Sequence, residues 1–177
     1  MAIRIRNKRN TPSNLQVNQK TPEDILAIAK KNNIETRPID LKGLCHLLGI
    51  GIQYLPLENN VSGKLHHDGN RWLINVNSLH HPRRQRFTIA HELGHYFLHR
   101  DSQQDYEDTT FHRGKAYSEK ELEADNFAGA LLMPKDEFRD YVRFSSNKID
   151  DIAEYFGTSS VAIKKRADVI RNNSYEF

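Results

Sequence analysis

Arg86-Phe87-Thr88-Ile89-Ala90-His91-Glu92-Leu93-Gly94-His95-Tyr96-Phe97-Leu98-His99 is the stretch on which the reading of the whole chain turns. Its centre is His-Glu-x-x-His, and the apolar residues around it recur every three to four positions, the period of a helix. At about 100° per residue, His91 and His95 lie about 40° apart on one face, one turn from each other. Both imidazoles can then approach one small cation. Glu92 lies about 60° round from His95, too far to share the ion easily but placed to reach a water on it. Two nitrogen ligands with a carboxylate base beside an open position suit zinc-assisted hydrolysis. The bland alternative is two surface histidines and a solvated glutamate. It fits poorly with a motif embedded in a long periodic segment, residues 82–99.

A catalytic zinc takes three protein ligands and keeps a fourth position for water, so another residue is required. His99 would lie about 80° from His91 and two turns away, which is awkward for one ion. It reads as a helix-end histidine, where positive charge is favoured. The glycine bend and longer histidine spacing of a metzincin are not present. The next candidates lie in Ser118-Glu119-Lys120-Glu121-Leu122-Glu123-Ala124-Asp125-Asn126-Phe127-Ala128, within a helix expected over residues 118–132. With Glu121 at 0°, Ala124, Ala128, Leu132 and Asp125 fall near −60°, −20°, 20° and 40° (about 100° per residue). Glu121 and Asp125 therefore lie in or beside the core-facing stripe, while Glu119, Glu123 and Asn126 fall opposite, with Glu123 pointing to solvent. A carboxylate on a buried stripe needs a partner, and a metal is one of few good ones. Asp125, one turn on, can accept the distal N–H of a ligating histidine. Ser118-x-x-Glu121 is also a capping box, in which the glutamate would bond the helix start instead. Two histidines still lacking a third partner favour the ligand reading.

Before this segment the pattern is mixed. Thr21-Pro22-Glu23-Asp24 opens a first helix with a capping hydroxyl, a proline suited to the first turn and two acids at the positive end. Asp40 can cap a second, carrying Leu41, Leu44, Cys45 and Leu48. Cys45 sits among those apolar positions as a buried, inert thiol. Ile52, Tyr54 and Leu55 suggest a strand. Residues 62–67 and 71–76 suggest two more, joined through His67-Asp68-Gly69-Asn70, where Asp-Gly is a hairpin signal. The segment 71–76 is either an edge open to an extended substrate or a paired central strand. After residue 118 the chain is helical, with a pair at 149–170 broken at Gly157-Thr158. The fold class is therefore α+β, a small antiparallel or mixed sheet packed on the histidine helix and further helices, ending in a helical pair.

The chain has 177 residues, 37% hydrophobic and 28% charged, the proportions of a globular protein with a sizeable core. Residues 1–20 hold five basic side chains and no acidic one and read as a flexible arm. Residues 21–142 form the main domain, and 143–177 a tail packed on it. A net charge of +3 is too small to imply nucleic-acid binding by itself. Lys164, Lys165 and Arg166, in a helix-turn-helix-like tail, can meet phosphates, although a purely structural helical pair explains them as well. No stretch approaches the roughly 18 apolar residues of a membrane-spanning helix. With one cysteine no disulfide can form within the chain, and no signal-like apolar run follows the basic start. A cytoplasmic setting is expected. His66, His67, His80 and His81 read as loop histidines, not a second metal site.

The block from Arg86 to His95, followed by Glu121-x-x-Ala124-Asp125-x-Phe127-Ala128 and Leu131-Leu132-Met133-Pro134, resembles the ImmA/IrrE family of metallopeptidases. These resemble the gluzincins, and the resemblance implies a zincin-like fold. It also implies a Zn2+ cofactor held by His91, His95 and Glu121, with Glu92 as catalytic base; Asp125 matches a position where the family often has Asn or Asp. It further implies a protein substrate, a helix-turn-helix repressor whose cleavage relieves repression. For the oxyanion donor, Tyr106, His112 and Tyr117 are in reach by sequence. A non-catalytic regulatory module binding DNA or a partner on the same fold is the alternative, and Glu92 argues for the enzyme.

Overall fold

The computed structural model describes residues 20–58, 60–101 and 118–172, together with the backbone of 105–109. Residues 1–19 of the basic arm, His112 and Tyr117 lie outside the described residues, as does the side chain of Tyr106. Helix α1 (Pro22–Lys31) begins at a full capping box: Thr21 Oγ1 accepts from Asp24 N, and the Asp24 carboxylate accepts from Thr21 N. Helix α2 (Leu41–Leu47) starts where Asp40 accepts from Lys42 N and Gly43 N. Cys45, on its inner face, is 1% exposed. Burial, reinforced by Asp40, pushes its thiol up to about 12, so it stays protonated and unreactive.

Strands β1 (Gly51–Leu55), β2 (Val61–His67), β3 (Trp72–Asn77) and β4 (Asp105–Thr109) form one mixed sheet in the order β1-β3-β2-β4. The β2–β3 hairpin closes through Asp68, whose carboxylate accepts from the backbone of Asn70 and Arg71 at 2.8 Å. Gly69 there has φ +92°, a conformation side chains resist. β3 pairs with β1 in parallel and with β2 antiparallel. It is thus an interior strand, and the edge reading of residues 71–76 is set aside. His66 and His67 belong to β2, not to a loop.

Helix α3 (Pro82–Leu98) starts with proline in its first turn, after His81 accepts from Arg83 N. Its burial is not one-sided. Every residue from Thr88 to Phe97 is buried, because β2 and β3 lie on one side and α4 (Glu119–Leu132) on the other. Fully burying a side chain such as Leu93 or Phe127 contributes about 1.5–3 kcal/mol, and this core carries His91, Glu92 and His95 within it.

α3 and α4 approach each other tightly at Gly94. A Cβ there would stand 3.0 Å from Ala124 Cα, 3.1 Å from its carbonyl oxygen and 3.2 Å from Phe127 Cβ. Two of these are backbone atoms, which cannot swing aside, so glycine sets the spacing of the two helices. Gly94→Val is expected to push them apart and lower stability by about 1–3 kcal/mol, the usual range for overpacking. It should also weaken metal binding, because Glu121 rides on α4. Urea unfolding and a chelator competition measure the two effects.

Helices α5 (Lys135–Phe144), α6 (Ile149–Phe156) and α7 (Ser160–Asn172) complete the described chain. Ile152, Phe156, Ile163 and Ile170 join the same apolar core. α6 ends at Gly157, with φ +62°, the left-handed cap that glycine adopts without strain. Arg86 ties α3 to this corner, donating at 2.8 Å to the carbonyls of Gly157 and Ile39. Of the three tail cations, Lys164 and Lys165 are exposed, and Arg166 is turned inward. Arg166 is 7% exposed and donates to the Met133 carbonyl, and burial draws its guanidinium down to about 10. Lys165 lies 3.4 Å from Asp125 Oδ2. Arg166 is therefore removed from any phosphate-binding set.

Candidate metal centre

α3 and α4 bring three donors together. His95 Nε2 lies 3.1 Å from His91 Nε2. The Glu121 carboxylate straddles both, with Oε2 3.2 Å from His91 Nε2 and Oε1 3.3 Å from His95 Nε2. Ligands about 2.0–2.1 Å from a tetrahedral zinc stand about 3.3–3.4 Å apart. The two imidazole nitrogens, and each of them with the carboxylate oxygen nearest to it, are thus separated by nearly the edge length of that tetrahedron. His91 and His95 are almost fully buried, and the Glu121 side chain keeps 16% exposure. Burying two imidazoles and a carboxylate at one point is costly unless something pairs with them. The donor set, its spacing and its burial fit a single divalent metal ion.

Ser118 caps α4 by accepting from Glu121 N at 3.3 Å. The Glu121 carboxylate turns away to the histidines, so only the serine's half of the capping box forms. Burial raises the Glu121 carboxyl, but the hydrogen bonds and charge of His91 and His95 outweigh it and hold it well below the usual carboxylate range. Burial lowers His95, and neighbouring His91 and His99 lower it further against the pull of Glu121. An ionised glutamate and a neutral imidazole are the states that bind metal.

Behind each histidine stands another group. Asp125 Oδ1 is 2.9 Å from His91 Nδ1, the contact expected for a carboxylate accepting the distal N–H. His95 Nδ1 faces His99 Nδ1 at 3.0 Å, and His99 Nε2 lies 2.8 Å from Glu123 Oε2. His99 does sit at the α3 terminus, yet it is 6% exposed and turned inward. Glu123 does not simply point to solvent. Asn126 also departs from the wheel, being 6% exposed, because α4 is enclosed by α1 and α7 as well as α3.

Glu92 is fully buried, on the side of α3 facing β2. Gly63 makes the room: a Cβ there would lie 3.0 Å from Glu92 Oε1 and 2.4 Å from Thr88 Cγ2. The glycine, not conspicuous in the sequence as part of the site, sets how closely the sheet approaches this carboxylate.

A buried His-Glu-x-x-His helix between a mixed sheet and a helix bearing a third candidate donor is a zincin-like arrangement. The chain belongs to the Peptidase M78 family, whose model, described as IrrE N-terminal-like domain, matches residues 45–168. This is the family that the two motif blocks resemble, and as a metallopeptidase family it implies a metal ion, for which His91, His95 and Glu121 form a suitable group. Among solved structures, a Mycobacterium tuberculosis transcriptional regulator is similar over 82% of this chain, at 21% identity and a TM-score of 0.53. The chain spans 45% of that protein's length, and the likeness is one of fold. No curated protein matches the chain. No helix among the described residues is long and apolar enough to cross a membrane.

Proposed function

We propose that the chain is a zinc-dependent endopeptidase that hydrolyses a peptide bond in a protein partner, a helix-turn-helix transcriptional repressor. The observation that carries the reading is the His91–His95–Glu121 group, with Glu92 the residue after His91 on the same helix. His91 and His95 would hold zinc through Nε2, and Glu121 through its carboxylate. A bound zinc ion would lower the pKa of a water and polarise a scissile carbonyl. Glu92 takes the proton from the attacking water and hands it to the leaving amine. Its burial keeps competing solvent away and its carboxylate at a fixed position. Asp125 fixes the tautomer and ring orientation of His91.

The repressor as partner rests on the family resemblance. The Mycobacterium tuberculosis protein of similar fold is a transcriptional regulator, which agrees with such a setting. A reducing, cytoplasmic location suits the single buried thiol. The test is to incubate the zinc-loaded chain with candidate helix-turn-helix repressors from the same cell and look for new termini by mass spectrometry. Cleavage that stops on chelation and returns with zinc is the expected result. An intact repressor bound tightly by the zinc-loaded chain would favour the non-catalytic alternative.

A further inference from the structure

The two candidate zinc histidines are supported in different ways. His91 meets a carboxylate directly, through Nδ1 and Asp125 Oδ1 at 2.9 Å. His95 has a second imidazole in that place, and the carboxylate comes one residue later. The chain of atoms runs from His95 Nδ1 to His99 Nδ1 at 3.0 Å, then from His99 Nε2 to Glu123 Oε2 at 2.8 Å.

The protons along this chain are fixed by its ends. With Nε2 of His95 turned to the donor group, its remaining proton is on Nδ1 and is donated. His99 Nδ1 must then be the acceptor, which puts the proton of a neutral His99 on Nε2. That proton in turn is donated to Glu123, a carboxylate that can only accept. Each link has donor facing acceptor, and the direction of every bond follows from one choice at the metal side. His99 is 6% exposed and Glu123 is 41% exposed on its side chain, so the chain leads from the buried centre to the surface of α4. Its members come from two helices, the last residue beyond α3 and the second turn of α4. It therefore also pins the α3 terminus to the helix that carries Glu121.

We propose that His99 and Glu123 are positioning residues of the metal centre, holding His95 in the tautomer and orientation that present Nε2 to zinc, as Asp125 does for His91. This rests on the zinc reading above and extends it to residues that neither the motif nor the donor group includes. The partners behind a metal-bound histidine typically control metal affinity by about 10–100-fold.

The test uses the full chain, stripped with a chelator and titrated with zinc against a chromogenic competitor. His99→Phe keeps an aromatic ring but removes the acceptor and the donor. His99→Gln retains one of each. Glu123→Gln, at a half-exposed surface position, changes only the terminal acceptor. We expect His99→Phe to weaken zinc binding by about 10–100-fold, Glu123→Gln by a smaller factor, and His99→Gln to recover most of the loss. Long-range 1H–15N spectra of the zinc-loaded wild type should show the His95 proton on Nδ1 and the His99 proton on Nε2. A packing role alone would change the melting temperature of the metal-free chain and leave zinc affinity in place. Should His99→Phe fail to fold, Glu123→Gln decides: weaker affinity at unchanged metal-free melting supports the proposal, and unchanged affinity overturns it. Wild-type affinity in both variants overturns the positioning role while leaving the zinc reading intact. A wild-type chain that takes up no zinc overturns both.

Discussion

Glu92→Gln is expected to reduce peptide hydrolysis by about 10²–10⁴-fold, the range a positioned general base contributes, while zinc content stays at the wild-type level. The substitution keeps the volume of a fully buried side chain in the space that Gly63 leaves open, so packing changes little. It removes the ability to take a proton. A neutral amide is also easier to bury than a carboxylate, and the variant should melt no lower than the wild type. Activity against the repressor, metal analysis and a thermal melt on the same preparation separate these effects. Cleavage at the wild-type rate would mean that Glu92 is not the base.

Glu121→Ala is expected to have the largest effect on the metal itself. It deletes one of three candidate donors and removes the carboxylate that faces the His91 and His95 Nε2 atoms. Loss of a ligand should exceed the ~10–100-fold penalty of losing a partner behind a ligand, and hydrolysis should fall with it. The helix itself should persist, since Ser118 bonds the Glu121 backbone and not its side chain. The cap is worth about 1 kcal/mol, and the substitution leaves it in place. Zinc-dependent stabilisation should vanish in the variant, because only binding to the native state raises the melting temperature. A variant that binds zinc as tightly as the wild type would remove Glu121 from the ligand set.

Local signals in the sequence carried far. The α3 period, the Asp68-Gly69 turn and the Thr21 and Asp40 caps depend on residues a few positions apart, and all appear in the structure. The wheel of α4 put Glu121 and Asp125 on the stripe facing α3 because their side chains share its inner side. The same wheel went wrong for Asn126 and Glu123, since it assumes one buried face, and α4 has neighbours on several sides. His99 was read by its place at a helix end. Its contact with His95 follows ordinary one-turn spacing, but its inward turn depends on Glu123, 24 residues away. The parallel pairing of β1 with β3 is non-local, and no periodicity announces it. The segment Asp105-Tyr106-Glu107-Asp108-Thr109 of β4 is acidic, a composition poor in strand formers, so its sequence carries no strand signal. It pairs through its backbone, with Glu107 opposite Lys64 of β2.

In the proposed function one zinc ion is shared by His91, His95 and Glu121. Zinc-edge X-ray absorption on the loaded chain reads its ligands. The account predicts one zinc per chain with two imidazole nitrogens and carboxylate oxygen at about 2.0–2.2 Å, and a changed spectrum in Glu121→Ala. Zinc bound without imidazole scattering, or a spectrum indifferent to the loss of Glu121, would contradict it.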